Sequence, residues 1–147
     1  MQLAGYSFKL ERILNYKENI ENFKKVEYGN VNQKLISAEE ILESFYFHKN
    51  KLITEKNETI NNISIANLKL YNDYLQDISS NIENQEHIII EIKKELEKAK
   101  EELLVAMQER KSFEKLKEND YNEFLSESKK KEDKVIDGIV TFNISTQ

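Results

Sequence analysis

Hydrophobic residues recur at alternating steps of three and four along most of the chain, a pattern typical of a helix that packs against another helix. The first such seam comprises Leu35, Ala38, Leu42, Phe45, Lys49, Leu52, Lys56, Thr59, Ile63, Ala66 and Leu70. The second comprises Ile78, Ile82, Gln85, Ile89, Ile92, Leu96, Ala99, Leu103, Ala106, Arg110 and Phe113. Between the seam positions, runs such as EIKKELEKAKEELL place Glu and Lys on a solvated face. The pattern predicts long coiled-coil helices.

The same spacing continues less regularly toward both ends of the chain. Upstream it is carried by Leu10, Ile13, Leu14, Ile20, Phe23 and Val31, and downstream by Leu116, Phe124, Val135 and Ile139. The shifts of phase are typical of stutters in a coiled coil. Gly29 predicts a weak point in the first helix, because glycine in a helix interior costs roughly 1 kcal/mol relative to alanine.

A short polar segment separates the two seams. Asn61 and Asn62 favour turns over helix interiors, and the hydroxyl of Ser64 can cap the helix that follows. The two helices therefore fold back on each other around residues 62–63. The predicted fold class is all-α, with two long helices forming an antiparallel coiled-coil hairpin in a single domain.

The helix boundaries follow from these signals. Helix 1 is predicted at about 7–60, the turn at about 61–64 and helix 2 at about 64–137. A loose C-terminal tail is predicted over 138–147, because Gly138 is a candidate helix terminator.

Composition agrees with long helices and excludes several classes of protein. The 147 residues include no proline and three glycines, so the usual breaks in regular structure are rare. A net charge of −5 argues against nucleic-acid binding. The absence of cysteine excludes a disulfide framework. No signal-peptide pattern opens the chain, and its longest apolar run, residues 88–90, is far too short to cross a membrane. We expect a cytoplasmic protein.

The residue types of catalytic and metal sites are sparse. Of the two histidines, His87 shares a helical face with Glu83 and Glu91. The Glu-x-x-His motif of carboxylate metal sites in helix bundles is absent, since Asn84 stands three residues before His87. Neither a glycine-rich phosphate loop nor a Ser/His/Asp cluster is recognisable. We therefore expect no enzymatic activity, no metal and no cofactor.

Three consecutive aromatic residues, 45–47, raise a question about the first helix. Successive residues on a helix point about 100° apart, so three rings cannot share one buried face. Phe45 belongs to the first seam, Tyr46 lies at its flank and Phe47 points outward. Tyr74 flanks the second seam near the turn. Exposed aromatic residues on a charged surface commonly mark a partner site. The alternative is that the rings lean over the seam and widen a thin core.

Three segments, in order, resemble one known family. The first is FKLERILNYKE, from Phe8 to Glu18, and the second is LKLYNDYLQDISSNIENQ, from Leu68 to Gln85. The third is ERKSFEKLKENDYNEFLSESKKKEDKVIDGI, with Glu114–Lys115–Leu116, then Tyr121, then Glu132, Lys134 and Asp137. Their order and the chain length are similar to those of the flagellar export protein FliJ family, a soluble component of the flagellar type III secretion system. Asp133 and Gly138 depart from the family pattern.

The resemblance implies a non-enzymatic, stalk-like adaptor with an antiparallel two-helix coiled coil. Its implied partners are the hexameric export ATPase FliI, which it binds and stimulates, the membrane export gate FlhA, and the export chaperones, which it escorts. It implies a cytoplasmic location, peripheral to the inner face of the cell membrane at the flagellar base. We expect the hairpin alone to be monomeric. The alternative is a self-associating structural coiled-coil protein with no export role.

Two contact sites are expected on this basis. If the helices run antiparallel, the open end of the hairpin brings together the candidate ATPase contacts Phe8, Leu10, Arg12, Ile13, Glu132, Lys134 and Asp137. The candidate export-gate contacts, near the turn, are Tyr46, Phe47, Tyr74 and Ile78.

Overall fold

The computed structural model describes residues 5–146 and consists of two long α-helices, α1 (Glu11–Thr59) and α2 (Ile65–Ser145). No strand occurs within this range. The helices pack against each other in opposite directions, as contacts between Lys34 and Glu95 and between Lys56 and Asn72 show. The predicted all-α antiparallel hairpin is therefore confirmed.

The turn lies where the polar segment predicts it. The backbone N–H of Asn62 donates to the carbonyl of Thr59 at 3.0 Å, which closes the last turn of α1. The hydroxyl of Ser64 accepts a hydrogen bond from the backbone N–H of Asn67 at 3.2 Å. This is the side-chain cap that a helix N-terminus needs, because its first N–H groups have no partner within the helix.

Both interior glycines are helical. α2 continues through Gly138 to Ser145 and so differs from the predicted loose tail over 138–147. A glycine that ends a helix usually adopts a positive φ, and among the described glycines only Gly5 does so. The hydroxyl groups of Ser145 and Thr146 donate to the carbonyl of Phe142 at the end of α2. Gly29 likewise lies within continuous helix α1.

The chain divides into two compact units. The tip unit comprises residues 24–103 and contains the turn. Its core is built on Ala38, Ile89 and Ile92, with Val31, Leu35 and Leu42 packed around them. Two further positions of the second seam, Ile82 and Ala99, are also buried.

The terminal unit comprises the described residues up to Phe23 and from Leu104 onward. Its buried apolar side chains are Leu14 from α1 and Ala106 from α2. Every position of the predicted second seam, from Ile78 to Phe113, is buried or half-buried. The first seam is correct up to Lys56. Beyond it Thr59, Ala66 and Leu70 are exposed, because the turn interrupts the periodicity.

Candidate partner-binding surfaces

The aromatic run 45–47 is distributed around α1 of the tip unit as the sequence predicts. Phe45 is half-buried in the seam. The hydroxyl of Tyr46 donates to Oε1 of Glu86 on α2 at 2.7 Å, and this hydrogen bond raises the pKa of Tyr46. Phe47 is 66% exposed. The one ring contact observed for it among the described residues is edge-on with the neighbouring His48, at 5.9 Å between ring centroids. Phe47 is therefore an apolar ring presented to solvent.

A groove of about 490 Å³ lies beside the turn. Its apolar walls come from Leu52, Ile63, Leu70 and Tyr71, and Tyr74 stands at its side with about half of its surface exposed. Glu55, Thr59, Asn62 and Asn67 supply polar groups to the same groove. Ile78, one turn beyond Tyr74, is half-buried in the seam and does not line the groove.

The four candidate gate contacts do not form one surface. Glu55 lines the groove together with Tyr74. Tyr46 precedes Glu55 by nine residues, a rotation of about 180° on a helix, so Tyr46 faces the opposite side of the hairpin. The bond from Tyr46 to Glu86 fixes that side. The sequence could not show this, because the side on which each flanking residue lies depends on the helix register.

In the terminal unit, the residues before α1 are held against α2 by Tyr6. Its ring meets Tyr121 edge-on at 5.0 Å and Phe124 at 5.3 Å. Its hydroxyl donates to Oδ2 of Asp120 at 3.2 Å. Burial against α2, with the Asp120 carboxylate, raises the pKa of Tyr6. Tyr6 is not among the contact residues predicted from the sequence. The signal available was an aromatic before the first helix and an aromatic pair three residues apart on the second.

Ion pairs between α1 and α2 fix the register of the terminal unit. Lys117 pairs with Glu11 and Lys17 with Glu109, each at 2.9 Å. The guanidinium of Arg110 bridges the buried carboxylate of Glu21 and the exposed one of Glu114. These hydrogen bonds, first with Glu114 and then with Glu21, raise the pKa of Arg110.

This register separates the candidate ATPase contacts into two groups. Phe8 and Leu10 are half-buried, whereas Arg12 and Ile13 are exposed, all near the start of α1. Glu132, Lys134 and Asp137 are exposed on α2. Because Glu11 is paired with Lys117, and Tyr6 with Phe124, the first group is not brought beside the second. The expected juxtaposition is therefore not found.

The last part of α2 forms a C-terminal overhang, residues 129–146, in which every residue is exposed. None of the residues that the structure describes is packed against it closely enough to bury one of its side chains. It carries six large apolar residues with exposed fractions of 49–69%, namely Val135, Ile136, Ile139, Val140, Phe142 and Ile144.

Residues 5–146 offer neither a membrane-spanning helix nor a metal cluster. No helix in that range has a stretch both long and apolar enough to cross a bilayer. The same residues contain no group of three or more His, Cys, Asp or Glu side chains placed to hold a metal ion.

Comparisons with known proteins give one family and one similar structure. The model of a family described as Flagellar FliJ protein matches residues 6–147. The fold is similar to that of CT670 from Chlamydia trachomatis, described as a YscO homolog, with a TM-score of 0.55 and 21% sequence identity over 93% of this chain and 94% of that one. At this identity the similarity supports the fold. A comparison with curated protein sequences gives no match.

Proposed function

The chain belongs to the FliJ family of flagellar proteins, and we propose that it is a non-enzymatic, stalk-like adaptor of a flagellar type III export apparatus. In this role it binds and stimulates the export ATPase hexamer, contacts the membrane export gate and escorts export chaperones. It works in the cytoplasm, at the inner face of the membrane beneath the flagellum.

The observation that carries this proposal is the surface of the hairpin. In a chain with 33% charged residues, large apolar side chains stay exposed near the turn and near the end of α2. Exposed apolar groups cost free energy in water unless a partner covers them. A thin two-helix core also leaves most of the surface available to partners. Such a molecule is suited to connecting other proteins.

We assign the export-gate contact to the tip unit. Tyr74 beside the groove and the outward ring of Phe47 are candidate anchors, because a few residues, often aromatic, carry most of the binding energy of an interface. Tyr46 contributes from the opposite side, and Ile78 lies one turn beyond Tyr74, half-buried in the seam. Because Tyr46 and Tyr74 lie on opposite sides, the gate would have to enclose the tip.

We assign the ATPase contact to the terminal unit. Arg12 and Ile13 are exposed near the start of α1, and Phe8 and Leu10, just before it, are half-buried. Glu132, Lys134 and Asp137 are exposed on the overhang. The two groups form separate contacts rather than one patch. Mixed charge of this kind suits a pore lined by polar loops, and charged contacts set the association rate and the specificity more than the affinity.

Stimulation of the purified export ATPase tests the proposal. Lys134→Glu should lower the stimulation at a fixed subsaturating concentration by roughly threefold or more, because it reverses a charge in the contact. The matched control is Lys93→Glu, which makes the same change at an exposed position of the tip unit. Equal stimulation by both variants would remove Lys134 from the contact.

Gate binding is tested separately with the cytoplasmic part of the export gate. Tyr74→Ala should weaken binding about fivefold or more. Tyr16→Ala is the control, since Tyr16 is 60% exposed in the terminal unit. If the unmodified chain binds neither ATPase nor gate and forms stable oligomers instead, the alternative role as a structural coiled-coil protein is the better one.

A further inference from the structure

The segment that precedes α1, residues 5–10, lies along the terminal unit without forming a helix or a strand. We call it the N-terminal strap. Tyr6, Phe8 and Leu10 of the strap are half-buried, whereas the residues between them are exposed. Alternation with a period of two is typical of an extended chain that turns one side toward a surface. The strap therefore has an apolar side that faces the hairpin and a polar side that faces solvent.

The strap takes over from α1 the covering of α2. α1 begins at Glu11, which pairs with Lys117 of α2. Further along α2, the ring of Tyr6 meets those of Tyr121 and Phe124 at 5.0 and 5.3 Å between centroids. Both α2 rings are half-buried. The packing face of α2 is thus covered by an irregular segment beyond the point where α1 begins.

The attachment of the strap to α2 depends on Tyr6. Every hydrogen bond and ring contact observed between the strap and α2, among the described residues, comes from this side chain. Its hydroxyl lies 3.2 Å from Oδ2 of Asp120 and 3.4 Å from the carbonyl oxygen of Lys117, beyond the roughly 2.5–3.0 Å usual for O–H···O bonds. A depression of about 270 Å³ opens beside the ring, with Glu123 and Glu127 in its wall. The strap is therefore held by one side chain in a loosely packed place.

We propose that the strap opens and closes while the rest of the terminal unit stays folded, and that Tyr6 is the residue that closes it. Segments with few buried contacts and no regular secondary structure open at a lower free energy than the core of a protein. Opening releases the apolar side of the strap and uncovers Tyr121 and Phe124 on α2. The closed form hides both surfaces at once.

The strap also bears on the ATPase contact, a step that rests on the proposed function. Phe8, which is assigned to that contact, lies two residues from Tyr6 and is half-buried while the strap is closed. A partner can reach the whole Phe8 ring only after the strap opens, so the closed strap is an autoinhibitory contact. The apparent dissociation constant of such a partner equals its intrinsic value divided by the open fraction. Weakening the attachment of the strap should therefore tighten binding.

Hydrogen exchange of the full chain, followed by NMR, tests the opening without a partner. The backbone N–H of Glu11 donates to the carbonyl of Phe8 at 3.2 Å and so reports on the strap. Tyr6→Ala should speed the exchange of this amide about fivefold or more, and should leave that of the buried Ala106 unchanged.

Two further variants separate the causes of this change. Tyr6→Phe keeps the ring contacts and loses the hydroxyl, so it should have a smaller effect than Tyr6→Ala. Tyr16→Ala removes a ring that is 60% exposed in the same unit, and should leave the Glu11 amide unchanged. Unchanged exchange at Glu11 in Tyr6→Ala, or an equal increase at Ala106, would overturn an independently opening strap.

The affinity for the purified export ATPase tests the autoinhibition. Tyr6→Ala should lower the dissociation constant about threefold or more, and Tyr6→Phe should lower it less. The double variant of Tyr6→Ala with Phe8→Ala should lose this gain, whereas Tyr16→Ala should bind like the unmodified chain. Weaker binding by Tyr6→Ala would overturn the autoinhibition and make the closed strap the form that binds. If neither the unmodified chain nor Tyr6→Ala binds the ATPase, the proposed function fails, and the exchange data alone decide whether the strap opens.

Discussion

The side-chain amide of Gln85 donates a hydrogen bond of 2.9 Å to the backbone carbonyl of Ala38, and both residues are buried in the tip unit. A carbonyl oxygen has two lone pairs, so that of Ala38 can accept this bond in addition to its helical one. The bond forms at one alignment only, because a slip of one residue moves the carbonyl by about 1.5 Å along α1. A polar residue in a coiled-coil seam often specifies the register in this way.

Replacing Gln85 should therefore affect alignment more than stability. Gln85→Leu should change the free energy of unfolding by less than about 1 kcal/mol, because burial of an apolar side chain of similar size offsets the loss of one hydrogen bond. It should broaden the distance distribution between spin labels at residues 34 and 95, which report the register.

Gln85→Glu is the contrasting variant. Its carboxylate would face the carbonyl oxygen of Ala38 without a proton to donate. Gln85→Glu should lower the free energy of unfolding at pH 7 by about 2–3 kcal/mol, measured by chemical denaturation. A Gln85→Leu variant with an unchanged distance distribution would show that apolar packing alone sets the register.

The buried carboxylate of Glu21 predicts a different response in the terminal unit. Arg110→Met removes the guanidinium that pairs with it, and should lower the melting temperature by about 5 °C or more, because the carboxylate stays buried. The double variant Arg110→Met with Glu21→Leu should recover most of that loss. Lys94→Ala, which breaks an exposed pair with Glu91, is the control and should change little. No recovery in the double variant would mean that the charges are needed for packing.

Much of the fold could be predicted because its signals are local and repeated. The second seam holds from Ile78 to Phe113 since each step adds to the same face. The cap at Ser64 is equally local. The loose tail predicted from Gly138 onward was wrong, because a glycine can either end a helix or continue it. The candidate contact sites were harder to predict than the fold. The side occupied by Tyr46 and the position of Glu11 beside Lys117 depend on the register of two helices.

Two tyrosine hydroxyls predict distinct titrations. The hydrogen bond to Glu86 raises the pKa of Tyr46, and burial, together with Asp120, raises that of Tyr6. A raised folded pKa means that the neutral phenol stabilises the fold below the unfolded pKa, about 10. That stabilisation is lost as pH rises through the folded pKa. In an NMR titration that follows each tyrosine ring separately, Glu86→Ala should lower the Tyr46 midpoint only, and Asp120→Ala the Tyr6 midpoint only. Movement of both midpoints in either variant would argue against separate causes.

Gly29 lies in a helical conformation with open space where a side chain would begin. Gly29→Ala should therefore raise the free energy of unfolding by about 0.5–1 kcal/mol, because alanine has less freedom to lose on folding. Gly138→Ala has the same open surroundings but lies in the overhang. In dilute solution it should raise helical circular dichroism slightly and leave the main melting transition unchanged. A destabilised Gly29→Ala variant would indicate that a break at this position is required.

The neighbouring rings of Phe45 and Phe47 separate packing from binding. Phe45 is half-buried in the seam, whereas Phe47 is 66% exposed. Phe45→Ala should lower the free energy of unfolding by about 2 kcal/mol, through lost packing in the thin core. Phe47→Ala should change it by less than about 0.5 kcal/mol, as is usual for surface positions.

Gate binding should respond in the opposite way to these two substitutions. Phe47→Ala should weaken it by about 1–2 kcal/mol if the ring is an anchor, since truncating an anchor loses the contact that it makes with the partner. Phe45→Ala should bind normally at temperatures where the hairpin stays folded, because its ring faces the seam. Melting curves and titration calorimetry on the same samples would separate the two effects. A Phe47→Ala variant that melts early and binds the gate normally would assign the ring to the core, and the exposed aromatic would then have no part in recognition.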